Sequence, residues 1–184
     1  MGLINMPENT LSLIYKSAID DVIIYRPTKF EDERGKNYTN WDKNWKFPCK
    51  FVQSKITIGK KNVLRGLHGD KITYKLISCL YGEIELAVVD VRKESETYGK
   101  YISYNLNNKN NLSILVPPRC FNGHICLSDN CVFQYFWSEP YSGPENQETI
   151  IYNDKDLNIK WTRKENLILS NRDKQGNRFK EINF

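Results

Sequence analysis

The 184-residue chain carries 27 lysines and arginines against 22 aspartates and glutamates, a formal net charge of +5, and is 40% hydrophobic and 27% charged. That is one domain of ordinary globular composition, long enough to bury a core without staples. The basic residues are interleaved with acids, as in "VRKESE" and "DKDLNIKWTRKEN", which speaks against a nucleic-acid binder, and no apolar run approaches the ~18 residues of a membrane-spanning helix.

The opening "MGLINMPENT" lacks the basic start and apolar centre of a signal peptide, so a cytoplasmic location is expected. Five cysteines (Cys49, Cys79, Cys120, Cys126 and Cys131) are odd in number and show no C-x-x-C pair. They read as reduced, mostly buried thiols rather than zinc ligands. Along the chain, short runs rich in β-branched and aromatic residues recur: "DVIIYRP", "CKFVQSKITIG", "KITYKLISCLYG", "EIELAVVDV", "YISYNLNNKNN", "LSILVPP" and "CVFQYFWSEPYSG". Turn chemistry separates them at Gly82, at 107–111 and at 142–146. Ile84, Leu86 and Val88 alternate with Glu85, Ala87 and Val89. Helical periodicity is scarce. The chain is expected to be all-β, a single domain built as a sandwich or barrel.

In such a double sheet, inward polar residues mark a cavity. Those interrupting the apolar strands are Gln53, Arg65, His68, Lys75, Asn122, His124 and Tyr135. Taken singly, each reads as a solvent-facing or satisfied core residue. As a set they point to a lined site.

The breaks occur in the order "FEDERG", "FVQS", "RGLH", "KL", "VVDVR", "PPRCFNGH", "QYFWSEPY" and "LSNRD". This series, from about Tyr25 to Asp173, resembles the nucleotide-sugar 3,5-epimerases typified by dTDP-4-dehydrorhamnose 3,5-epimerase. Within them it looks closest to bacterial capsular-polysaccharide enzymes acting on GDP-4-keto-heptoses. The resemblance implies a cupin-like jelly roll with few short helices, no metal and no cofactor. It also implies a homodimer that exchanges N-terminal strands (about residues 1–42), and a nucleotide-diphosphate 4-keto sugar substrate, with GDP favoured over dTDP.

A ketone at C4 acidifies the hydrogens on C3 and C5, so the reaction needs a base, an acid across the ring and a cation at the enolate oxygen. By the resemblance His68 is the base, Asp173 orients it, Tyr135 is the acid and Lys75 stands beside the enolate. Arg65 lies near the sugar and phosphates. Phe30, Asp32, Arg34 and Gln53 contact the nucleotide, and Tyr141 sits at the pocket mouth. Asn122 stands where the family usually has a histidine, and His124, two residues on, either substitutes for that histidine or packs. The glutamine that customarily follows "RGLH" is replaced by Gly69 and Asp70, and Thr28 and Lys29 stand where an arginine often precedes Phe30. Three rivals differ in chemistry. A metal-dependent cupin oxygenase needs a cluster of two or three histidines plus a carboxylate, whereas only His68 and His124 exist and "RGLHGD" lacks the H-x-H pair. A non-catalytic nucleotide-sugar-binding jelly roll needs no base and acid together, and a 4-keto-sugar isomerase uses related chemistry.

Overall fold

The computed structural model describes residues 11–184, with side chains from Tyr15 onward. Its strands are β1 (Leu11–Lys16), β2 (Ile23–Pro27), β3 (Lys29–Asp32), β4 (Gly35–Tyr38), β5 (Gln53–Lys60), β6 (Leu64–Gly69) and β7 (Lys75–Tyr81). They continue with β8 (Glu83–Asp90), β9 (Tyr101–Asn107), β10 (Ser113–Val116), β11 (Cys120–Cys126), β12 (Asn130–Trp137) and β13 (Glu148–Thr149). The only α-helical turn among the described residues is α1 (Asn171–Lys174). Every expected run holds one strand, and the all-β reading stands.

Two sheets face each other. One has the order β1-β2-β10-β7-β12-β5, the other β13-β6-β11-β8-β9, and β3 and β4 form a separate hairpin. The pairings are antiparallel throughout. The alternation in β8 explains why this strand is buried on both faces. Ile84, Leu86 and Val88 point between the sheets onto Ile77, Cys79 and Phe133. Ala87 and Val89 point outward, where Leu157, Ile159, Trp161, Phe179 and Ile182 of the C-terminal segment cover the five-stranded sheet. The outer face of the other sheet, at Tyr25, Leu76 and Leu115, is covered by Trp41, Phe47 and Phe51.

The interior is therefore a packed core with one polar end. β6 enters that end through a kink. Gly66 has a φ of 110°, a conformation that L side chains rarely adopt, and a Cβ there would come within 2.6 Å of the Gly123 Cα. This backbone-to-backbone approach breaks the alternation of β6: Leu67 turns outward into the covered layer, while His68 borders the polar end.

One expectation needs correcting. Cys126 and Cys131 are not free thiols: they are paired as a disulfide, with Cα atoms 6.3 Å apart, and Cys49, Cys79 and Cys120 are free. The chain reverses between β11 and β12, which brings the two side by side in the core. Exchange of the N-terminal segment, about residues 1–42, would involve a second copy of the chain. Its first ten residues lie outside the described residues. β1 and β2 are strands of the chain's own sheet, which leaves the β3–β4 hairpin as the part standing apart. No helix among the described residues is long and apolar enough to cross a membrane.

Candidate active site

A cavity of about 260 Å³ opens at the polar end of the sandwich. The five-stranded sheet contributes Arg65 and His68 from β6, and Asn122 and His124 from β11. The six-stranded sheet contributes Lys55 and Thr57 from β5, and Tyr135 and Trp137 from β12. Ser170, Arg172 and Asp173 close it from the C-terminal segment, with Tyr141 and Gln147 at its edge.

His68 and Asp173 are 105 residues apart in sequence, yet His68 Nε2 lies 2.7 Å from Asp173 Oδ1. Ser170 caps α1 by accepting a hydrogen bond from the Asp173 N–H and in turn donates from its hydroxyl to Asp173 Oδ2 at 2.6 Å. The Gly66 N–H donates to Asp173 Oδ1 as well. Burial pushes the Asp173 carboxyl up, but the hydrogen bonds from His68, Ser170 and Gly66 outweigh it and hold the acid below the usual carboxylate range. An ionised carboxylate can only accept, so His68 Nε2 carries the hydrogen and Nδ1 is left as the basic nitrogen. Burial lowers the His68 imidazole, and the opposing pull of Asp173 does not restore it to the ordinary value. The His68 side chain keeps 24% exposure, and it borders the cavity. It is a neutral base at physiological pH.

Tyr135 projects from the opposite sheet. Its ring packs edge-on to Phe133 at 5.3 Å and near Trp137 at 6.3 Å, and burial pushes its phenol well above the ordinary tyrosine value. It stays protonated. Behind the cavity wall Lys75 is buried, with Nζ 3.4 Å from the His68 carbonyl oxygen, 3.5 Å from Asn122 Oδ1 and 5.0 Å from the Trp137 ring. Burial lowers its ammonium to about 8.

Among the residues expected at the site, His68, Asp173, Tyr135, Arg65, Asn122, His124 and Tyr141 come together around the cavity, with Lys75 against its wall. Gln53 lies beside the cavity, its Oε1 accepting from the Tyr141 N–H at 2.7 Å. Phe30, Asp32 and Arg34 do not reach the cavity within one chain. They sit on the β3–β4 hairpin, where Phe30 is 74% exposed and Arg34 forms an ion pair with Asp32. Asn122 and His124 do share a face, as an extended strand requires.

Sequence reasoning missed Lys55 and Arg172. Lys55 alternates with Gln53 on β5 and lies 3.3 Å from the Tyr141 ring centroid, so its alternation was the available signal. Arg172 donates to Thr149 Oγ1 and to the Gln147 carbonyl, which ties β13 to α1. Its only sequence signal was its place beside Asp173. No group of three or more His, Cys, Asp or Glu that could hold a metal ion occurs among the described residues.

A base backed by a carboxylate on one sheet, and a protonated phenol on the other, can remove a proton from one face of a bound molecule and return one to the opposite face. The family profile described as dTDP-4-dehydrorhamnose 3,5-epimerase matches residues 16–181. The chain belongs to the dTDP-4-dehydrorhamnose 3,5-epimerase family. It is an isomerase by that membership. The dTDP-4-dehydrorhamnose 3,5-epimerase of Salmonella typhimurium is 35% identical over 159 residues, covering 82% of this chain and 86% of that protein. The enzyme of the same name from Escherichia coli is 33% identical over 170 residues, covering 88% and 91%. Among solved structures, the dTDP-4-dehydrorhamnose 3,5-epimerase of Elizabethkingia anophelis superposes with a TM-score of 0.85 at 34% identity, covering 95% of this chain and 99% of that one. The dTDP-6-deoxy-D-glucose-3,5-epimerase of Legionella pneumophila, in complex with dTDP-4-keto-L-rhamnose, gives 0.87 at 30% identity, covering 92% and 94%.

These protonation states set a pH profile. kcat/KM should rise with pH through a value below the ordinary histidine range as His68 loses its proton, and fall above about 8 as buried Lys75 loses its charge. In Lys75→Met, activity should drop ~10²- to 10³-fold, the scale of removing one electrostatic stabiliser, and the alkaline limb should vanish. An alkaline limb unchanged in that variant would assign it to another group.

Proposed function

We propose that the chain inverts C3 and C5 of a dTDP-linked 4-keto-6-deoxyhexose. The observation that carries this is the opposition of His68 and Tyr135 on facing sheets across one cavity, with buried Lys75 behind the cavity wall. His68 Nδ1 takes the hydrogen from the acidified carbon, and the imidazolium is held by Asp173. Charge moves to the C4 oxygen, where Lys75 offsets it. Tyr135 then delivers a proton from the other side, and the centre is inverted.

The relatives at 30% identity or more are named as dTDP-sugar enzymes, which supports dTDP over the GDP-linked heptose suggested by the motif series. The departures behind the GDP reading also carry less than expected. The Asp70 carboxylate is committed to the Ile72 and Thr73 N–H groups and to Gln147 Nε2, and Thr28 lines a separate surface cavity with Arg26 and Lys109. Only Asn122 and His124 border the site.

We further infer a homodimer. The hairpin carrying Phe30, Asp32 and Arg34 cannot serve its own cavity, so its nucleotide contacts require a second copy. Exposed Ile56 and Ile58 on edge strand β5 add an apolar face for that copy.

Three measurements test these readings. In D₂O with a dTDP-4-keto-6-deoxyhexose, His68→Asn should lose both solvent exchange and inversion. Tyr135→Phe should keep exchange at C3 or C5 while inversion slows ~10²- to 10⁴-fold, the usual cost of a lost general acid. Near-wild-type inversion by Tyr135→Phe would remove Tyr135 as the acid. Calorimetry should show dTDP binding more tightly than GDP, and the reverse order would restore the GDP reading. Light scattering at micromolar concentration should give twice the 21.7 kDa chain mass. An active monomer would overturn the dimer.

A further inference from the structure

Tyr135 must surrender a proton from a place where its anion is poorly solvated, since burial pushes the phenol far up. What meets the hydroxyl is therefore decisive. The side-chain contact the structure gives it is Nδ1 of His124, at 3.4 Å. The contact crosses the sandwich, because His124 stands on β11 of the five-stranded sheet and Tyr135 on β12 of the six-stranded one.

His124 is only 1% exposed, with its ring edge-on to Phe133 at 4.1 Å. Burial, reinforced by the positive charge of Arg65, its register neighbour on β6, lowers the imidazole to about 3. A neutral ring carries one N–H, and its Nε2 has no hydrogen-bond partner. Were the hydrogen on Nε2, a buried donor would go unpaired in the field of Arg65. With the hydrogen on Nδ1, the N–H finds the Tyr135 oxygen, the Tyr135 O–H is free to turn into the cavity that this residue lines, and only a bare acceptor is left over in the interior. Orphaned buried N–H groups are rarer than under-satisfied acceptors. The Nδ1–H tautomer follows, with the imidazole donating and the Tyr135 oxygen accepting.

We propose that His124 is a positioning residue for the inversion step, its Nδ1–H holding the Tyr135 oxygen and stabilising the phenolate formed when that tyrosine protonates the sugar carbon. In that step the Tyr135 O–H bond breaks and a C–H bond forms on the carbanion. The electron pair stays on the phenolate oxygen, and the His68 imidazolium keeps the proton taken from the opposite face. Water then carries a proton from His68 back to Tyr135. The resting contact is long, as catalytic hydrogen bonds often are before substrate binds, and it strengthens once its acceptor is anionic. His124 acts through Tyr135 and has no part in the abstraction by His68.

The inference rests on the epimerase reading, and the experiment separates the two. Wild type, His124→Phe and His124→Asn are compared in D₂O, following solvent exchange by mass spectrometry and inversion by proton NMR. His124→Phe keeps the packing but has no donor. It should exchange within about threefold of wild type and invert ~10- to 100-fold more slowly, the scale of a lost hydrogen bond to a charged group. His124→Asn places an amide N–H near the Nδ1 position and should recover inversion to within about fivefold of wild type. If His124→Phe keeps the wild-type ratio of exchange to inversion, or loses both equally, His124 merely packs and the proposal fails. His124→Asn as slow as His124→Phe also overturns it. Wild-type protein that exchanges no proton with any nucleotide 4-keto sugar would sink the epimerase reading itself, and this role with it.

Discussion

Burial of polar side chains between the two sheets is the constraint on which the chemistry depends. The same burial gives a histidine that stays neutral, a lysine that holds its charge only to about pH 8, and a phenol that keeps its proton. On a solvated surface the imidazole and the ammonium would hold their protons to higher pH and the phenol would lose its proton more readily, so burial is what moves all three together. The apolar half of the interior, around Phe133, Leu86 and Ile77, backs the polar half. Core and site are one feature seen from two ends.

The double sheet also solves a stereochemical problem. Inversion needs proton donor and proton acceptor on opposite faces of one ring, and two facing sheets present side chains toward each other across a gap. His68 belongs to one sheet and Tyr135 to the other, so their opposition is inherited from the fold rather than from loops. The cost falls on β6, which must bring both Arg65 and His68 to the same cavity although strict alternation forbids it. Gly66 and Gly123 solve this by letting two backbones approach with no side chain between them.

Most of the architecture was legible because burial on two faces leaves long runs of Val, Ile, Leu and aromatic residues, as in β7, β8 and β12. β6 and β11 were harder to see as strands, because glycines and polar residues interrupt them where they line the cavity. Those interruptions were the best signal for the site: His68, Asn122, His124 and Tyr135 all announced themselves by breaking apolar runs. Lys55 escaped notice because a lysine near a strand's edge ordinarily faces solvent, and its contact with Tyr141 depends on a loop 86 residues away that local pattern cannot place. The hairpin residues Phe30, Asp32 and Arg34 are the opposite case. They stand out in sequence, yet one chain gives them nothing to act on. The Cys126–Cys131 pair was missed since burial and oxidation leave the same apolar pattern around a thiol.

The 105-residue separation between His68 and Asp173 has a consequence for biosynthesis. On the ribosome, the strands that carry His68, Lys75 and Tyr135 emerge well before the turn that carries Ser170 and Asp173. Until that turn docks, the imidazole has no carboxylate to fix its tautomer, and the outer face of its sheet lacks the covering built by Trp161 and Phe179. On the roles proposed above, a nascent chain that stops short of that turn holds the base without the carboxylate that orients it. On those roles, catalytic competence arrives with the late-synthesised segment, and turnover reports on synthesis through residue 173.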